Sequence, residues 1–168
     1  MTKDHSQYKK IFPWLGRLKD YYQLITDTIL TWRISLITEA AMDTIKVVCG
    51  IIENEGNYFV CRRKQGKSLA GFWEFPGGKL EHGESHQEAL RRELLEELDM
   101  KVIVGQYLGL SVYDYDKFRI ELYGYHCLLI SYDGKLVDHD LYQWVQLEEL
   151  HVLSMAPADI PLIDLINQ

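Results

Sequence analysis

The chain has 168 residues, 47% of them apolar and 26% charged, which suits one soluble globular domain with some length to spare. A net charge of −7 argues against duplex DNA or RNA as a partner, because non-specific nucleic-acid binding needs a basic face. Small phosphorylated substrates stay open, since a bridging metal can reverse the local sign. Cys49, Cys61 and Cys127 are odd in number, far apart and without a CxxC pair. They argue against a disulfide framework or a zinc site and for a reducing, cytoplasmic setting. The apolar runs are far short of a membrane span, and the N-terminus lacks the basic start and apolar core of a secretory signal.

The charge divides the chain unevenly. Residues 1–41 hold six Lys/Arg against four Asp/Glu, whereas residues 42–168 hold twelve against twenty-one. Leu15, Leu18, Tyr22, Ile25, Ile29, Trp32 and Leu36 are spaced alternately three and four apart, which predicts a helix with one apolar face or an a/d seam. Residues 1–41 are therefore expected to form a helical extension and residues 42–168 the domain proper. The extension can pack on the domain or join two copies, so a monomer or a homodimer is expected. Thr31 to Leu36 also alternates as a strand would. Met42 stands just ahead of a strong strand, which leaves room for a third reading in which the functional chain starts there.

From Ile45 the pattern turns strand-like. A strand is predicted over 45–52, a turn over 53–57 and a return strand over 58–62. A loop rich in Lys and Gly, from Lys64 to Gly71, leads to Phe72-Trp73-Glu74-Phe75-Pro76-Gly77-Gly78. A helix follows, then strands at about 102–110 and 119–131, an Asp133-Gly134 turn, a short strand at 143–145 and a final helical stretch ending at Ile166. Alternating strands and helices within one compact length predict an α/β sandwich with a mixed sheet.

The central helix carries the chemistry. Ser85 and Glu88 are spaced as a capping box, so the helix should begin after Ser85 and run to about Leu98. At 100° per residue, Glu93, Glu96 and Glu97 fall on one face, with Leu94, Leu95 and Leu98 expected to bury on the other side. Like charges three and four apart repel, and something must compensate. A solvated acidic face is the ordinary explanation of such a cluster. A hard divalent cation, Mg²⁺ or Mn²⁺, is the natural partner of converging carboxylates. The Pro76-Gly77-Gly78 loop just upstream can bring backbone groups close to such an ion.

Gly78, Glu84, Arg92, Glu93, Leu94, Glu96, Glu97 and Met100 carry the spacing of the Nudix box, with Asp99 where that box has Gly. The chain resembles the MutT branch of the Nudix hydrolases over about residues 44–166, through FWEFPGGK, the box, Trp144 and APADIP. The resemblance implies a Nudix-type α/β/α sandwich and cleavage of a nucleoside diphosphate linked to another group. It implies Mg²⁺ held by Glu93, Glu96 and Glu97 with the carbonyl of Gly77, and Arg92 paired with Glu84 to orient the carboxylates. Asp138, six positions before Trp144, aligns with a metal ligand or water-activating base; a plain turn aspartate is its other reading. Arg63 and Lys79 align with basic residues near the substrate phosphates, or are surface charge. Asp99 tolerates the left-handed conformation that the box Gly supplies, so a slightly strained helix end with intact chemistry is expected.

In the MutT branch the position of Asp159 contacts the base. An ionised Asp accepts two hydrogen bonds, which suits the N1–H and N2–H₂ edge of guanine; cytosine would want a protonated Asp. The similar tails belong to enzymes of cytidine nucleotides, so both bases stay open. Asp159 can also be read as a helix N-cap before Pro161. Phe75, Tyr113, Tyr115 or Phe118 could wall the base, Trp73 and Trp144 read as core, and His126 reads as a core histidine on a face with Ile120, Leu122, Leu128 and Ile130. The expected activity is metal-dependent hydrolysis of a nucleoside triphosphate, oxidised or modified forms included, to the monophosphate and pyrophosphate. The other readings are a Nudix hydrolase of ADP-ribose, a nucleotide sugar or a dinucleoside polyphosphate, and a non-catalytic nucleotide sensor.

Overall fold

The computed structural model describes residues 23–31 and 42–166, in two units taken separately. In the first, residues 23–31 are helical, with Leu24, Ile29 and Leu30 exposed. The rest of the seam from Leu15 to Leu36, and the strand-like alternative after Thr31, lie outside the described residues.

The second unit is built on seven strands. They are β1 (Asp43–Asn54), β2 (Asn57–Arg63), β3 (Trp73–Glu74), β4 (Gly77–Lys79), β5 (Met100–Asp114), β6 (Phe118–Tyr132) and β7 (His139–Val145). Three helices complete it: α1 (His86–Leu98), α2 (Leu147–Leu150) and α3 (Ile160–Ile166). The sheet path runs β3-β2-β1-β6-β5, with β4 on β1 and β7 on β2. β1 and β6 pair in parallel, and every other strand pair is antiparallel, so the sheet is mixed.

β1 shows why the fold has helices on both faces. It is a near-continuous apolar run, and successive residues point to opposite sides of the sheet. Val48 and Ile52 enter a cluster with Ala89, Leu90, Leu94 and Leu98 of α1. Cys49 and Ile51 enter a second cluster with Leu150 of α2 and Leu162 and Ile163 of α3. These are the two outer layers of an α/β/α sandwich. All three cysteines are buried and free. Among the described residues, no helix is long and apolar enough to cross a membrane.

Two expected faces come out differently. Leu95 is exposed, while the buried stripe of α1 is Ala89, Leu90, Leu94 and Leu98. Leu90, Leu94 and Leu98 advance only about 40° per step of four, and Leu95 falls about 60° beyond the last of them. His126 is only half-buried, and Leu128 and Ile130 on its face are exposed. Ile120 and Leu122 pack under α3, but β6 outruns that cover. β7 is also longer than predicted. Its polar start lacks strand-like residues, yet His139 pairs with Arg63 of β2, and the register shift skips Asp140.

α1 begins as expected. The Ser85 side chain accepts from the Glu88 backbone, and the Glu88 carboxylate accepts from the Ser85 N–H at 2.9 Å. It ends on Asp99 at φ 51°, ψ 36°, whose N–H donates to the carbonyls of Leu94 and Leu95. The left-handed conformation costs an ordinary L-residue about 1–2 kcal/mol, and less for Asp. Asp99→Gly should therefore raise stability by about 0.5–1 kcal/mol, a melting shift of about 1–4 °C. Thermal unfolding of the two proteins checks this, and an unchanged or lower midpoint would show that the Asp side chain offsets its backbone strain.

Candidate active site

The site begins with the short β3–β4 segment. The Gly50 N–H donates to the Pro76 carbonyl at 2.8 Å, and β4 pairs with β1 from Val47 to Cys49. Both glycines are demanded by what lies against them. A Cβ on Gly77 would fall on the Val48 carbonyl, and one on Gly78 would fall inside the Glu93 carboxylate. The backbone of the loop is thereby brought against the acidic face of α1.

Arg92 is the hub of that face. Its Nε donates to Glu84 Oε1 at 2.7 Å and its Nη2 to Glu84 Oε2 at 2.8 Å. Nη1 reaches Glu93 at 2.9 Å, and Nη2 also donates to the Lys79 carbonyl at 3.1 Å. The Arg92 fork holds the Glu84 carboxyl down at about 2. The pair ties the loop to the helix and holds one Glu93 oxygen.

The three box glutamates are not equivalent. Glu93 and Glu97 lie within the half-buried arc of α1, with side chains 13% and 22% exposed, whereas Glu96 is 61% exposed. Burial pushes the Glu97 carboxyl up to about 7. The facing His139 pulls against this, while Asp138, Glu93 and Glu74 add to it. Asp138 is held below the usual carboxylate range by Lys67, whose Nζ is 2.6 Å from Oδ2.

Among the described residues, no three His, Cys, Asp or Glu side chains converge closely enough to enclose an ion by themselves. The donor chemistry nevertheless suits a hard divalent cation. Glu93, Glu97, Asp138 and Gly77 line one cavity and offer only oxygen ligands. A cation there would also relieve the repulsion that raises Glu97.

That cavity measures about 980 Å³. Lys79, Phe75, Tyr113 and Asp159 line it too. Tyr113 is 38% exposed and packs edge-on against Tyr115, which in turn lies 5.0 Å from Phe118 at the tip of the β5–β6 hairpin. Trp73 is buried, and Trp144 packs edge-on against Phe59 at 5.1 Å.

The APADIP segment runs beside β3. Ala156 N–H donates to the Trp73 carbonyl at 2.7 Å, and Trp73 bridges Met155 in parallel. Asp159 is thus buried, and Oδ1 accepts the Phe75 N–H at 2.8 Å. Its side chain does not cap α3; its backbone carbonyl accepts from Leu162 N–H at 3.0 Å. Burial, with Glu74 nearby, keeps the Asp159 carboxyl well above the usual range.

Arg63 lines the cavity but is already engaged. Its Nη1 meets both Glu74 oxygens, at 2.7 and 3.0 Å, and its Nε meets the Ser68 carbonyl at 2.5 Å. The sequence reading overlooked three of the participants here: Lys67, Glu74 and His139. Glu74 carried a usable signal, since a carboxylate inside the apolar run Phe72-Trp73-Glu74-Phe75 needs a buried partner.

The profile of the NUDIX domain family matches residues 47–165. The chain is 38% identical over 125 residues to a CTP pyrophosphohydrolase of Escherichia coli, covering 73% of this chain and 91% of the relative. It is 36% identical over 116 residues to a putative 8-oxo-dGTP diphosphatase 2 of Mycobacterium tuberculosis, covering 67% of this chain and 81% of the relative. The solution structure of the E. coli ORF135 protein superimposes with a TM-score of 0.64 at 36% identity, over 76% of this chain and 91% of that one. With the box residues arranged as described and these matches spanning the same stretch, the chain belongs to the Nudix hydrolase family.

Proposed function

We propose that this enzyme is a MutT-type pyrophosphohydrolase that hydrolyses a nucleoside triphosphate to the monophosphate and pyrophosphate with Mg²⁺ bound, Mn²⁺ being able to replace it. The observation that carries the reading is one cavity lined both by Glu93 and Glu97 of the box and by Phe75, Tyr113 and Asp159. It is supported by relatives named for hydrolysing CTP and 8-oxo-dGTP. The proposal includes a reducing, cytoplasmic setting, for which the three free thiols speak.

Glu93, Glu97 and the Gly77 carbonyl would hold the cation, with Glu96 completing the set from the exposed side. When bound, the cation neutralises phosphate charge and acidifies the attacking water. Arg92 and Glu84 keep Glu93 aimed at the loop. Asp138, kept ionised by Lys67, is the carboxylate left to take the water's proton or to add a ligand oxygen. Lys79 and Lys67 supply positive charge beside the phosphates, and the water attacks in line with the departing group.

Burial of Asp159 beside Glu74 favours its neutral form, and with it a cytosine base. A neutral carboxyl whose Oδ1 already serves Phe75 can donate one hydrogen bond and accept another. That matches N3 and N4–H₂ of cytosine, not the two donors of guanine. A site built on one edge discriminates because the wrong base leaves buried polar groups unpaired.

Release of pyrophosphate from CTP, dCTP, 5-methyl-dCTP, dGTP and 8-oxo-dGTP tests the reading, with ADP-ribose and diadenosine tetraphosphate as outgroups. The cytidine nucleotides should show the highest kcat/KM. Asp159→Asn, which stays neutral and keeps a donor and an acceptor, should preserve that preference. A wild type that favours guanine nucleotides at neutral pH would mean that Asp159 is ionised when the base binds. Activity on the outgroups alone would refute the triphosphate assignment.

Glu97→Gln should separate turnover from stability. Turnover should fall by at least about 100-fold if Glu97 serves the cation. In the presence of EDTA the fold should gain stability. Glu97 titrates higher folded than unfolded, so its ionisation costs nothing well below pH 4.5 and its full amount above about pH 7. Removing the charge should return up to about 2–3 kcal/mol at pH 8 and almost nothing at pH 4. Melting curves at the two pH values check the sign, and near-normal turnover in this variant would refute the site assignment.

A further inference from the structure

Three strands deliver a chain of polar side chains to the back of Glu97. In the β2 ladders, Cys61 faces Glu74 of β3 and Arg63 faces His139 of β7, with a register shift between Arg62 and Arg63. Such an irregularity re-aims side chains near a site. Arg62 goes outward to Asp140 at 2.8 Å, while Arg63 goes inward to both oxygens of Glu74. Glu74 Oε1 lies 2.8 Å from His139 Nε2. Arg63 occupies Glu74 as an acceptor, so Nε2 is the ring nitrogen that donates to it.

The other face of the imidazole is unexplained by folding alone. The His139 side chain is 1% exposed, and its Nδ1 is buried without a hydrogen-bond partner among the described residues. A buried polar atom left so costs about 1–3 kcal/mol, and an apolar residue of similar size would avoid it. The nitrogen is aimed at the site: Nδ1 stands 3.8 Å from Glu97 Oε2.

We infer that His139 is a positioning residue for Glu97, anchored from behind by Glu74 and Arg63, and that it sets where the Glu97 carboxylate meets the cation. The inference rests on the proposed hydrolase reading of the site. Among the described residues, Glu97 has no such hydrogen bond as Arg92 gives Glu93. A rigid imidazole behind it supplies the missing restraint, and partners of this kind tune both the geometry and the affinity of a ligand. Arg63 then belongs to the support of the carboxylates rather than to the phosphates.

The test uses His139→Gln and His139→Asn in the full chain. A Gln amide reaches about as far as Nε2 and keeps only the Glu74 side; an Asn amide reaches about as far as Nδ1 and keeps only the Glu97 side. In His139→Gln, kcat should fall by about 10–100-fold with KM for the nucleotide within about twofold. Mn²⁺ affinity, read by electron paramagnetic resonance without nucleotide, should fall by about 10-fold. His139→Asn should recover part of both.

A folded His139→Gln protein with kcat and Mn²⁺ affinity within about twofold of wild type would overturn the inference, as would a rise in KM alone. Should both His139 variants fail to fold, Glu74→Gln loosens the anchor while keeping its size, and the same fall in kcat and Mn²⁺ affinity decides. A wild type that binds Mn²⁺ but hydrolyses none of the nucleotides defeats the hydrolase reading alone, and the loss of Mn²⁺ affinity then still judges His139.

Discussion

Repulsion among carboxylates is the constraint on which the rest of this site depends. Glu74, Glu93, Glu97 and Asp138 all face one cavity, in a chain with net charge −7. Each has a countermeasure of its own. Arg92 holds Glu93, Arg63 holds Glu74, Lys67 holds Asp138, and His139 stands behind Glu97. The partner of Glu97 stands off at 3.8 Å, and burial pushes its carboxyl up to about 7. Of the four acids, Glu97 thus has the most distant countermeasure, at the position proposed to meet a cation.

The same constraint explains the two glycines. A helix face loaded with acids would be pushed away from a strand end bearing side chains. Gly78 lets backbone, not side chain, meet that face, while Gly77 lets the same segment lie close against β1. The Val48 carbonyl and the Glu93 carboxylate occupy the volumes that two Cβ atoms would need. Substrate phosphates can then approach a surface whose acids are already spoken for, which is how an acidic protein accommodates a polyanion.

What was legible in the sequence was local. The capping box and the left-handed Asp99 follow from residues at the ends of one helix, and both stand as read. Arg92 with Glu84, eight apart, was legible only through the family's spacing, and the fork is present. The Glu74–His139 contact joins residues 65 apart across β2, and no period or spacing encodes it. Leu95 and Leu128 were misjudged for a related reason. A period says which residues share a face, but not how far the opposing layer extends over it. Asp159 lines the same cavity as Glu93 and Glu97, but its environment comes from β3, whose proximity to residues 154–159 is a tertiary fact.

Two acids in the cavity are shifted in opposite directions, and the division follows from what surrounds them. Asp138 has a lysine on one oxygen and partial access to water, so it stays charged. Asp159 is buried beside Glu74 with one backbone N–H for company, so its carboxyl is raised. One carboxylate is thereby suited to water and metal, the other to a base edge, without any change of residue type. Substrate choice in this framework is then set less by the identity of residue 159 than by how dry its surroundings are. Under the proposed reading, Glu74 would bear on which base is read through its charge beside Asp159.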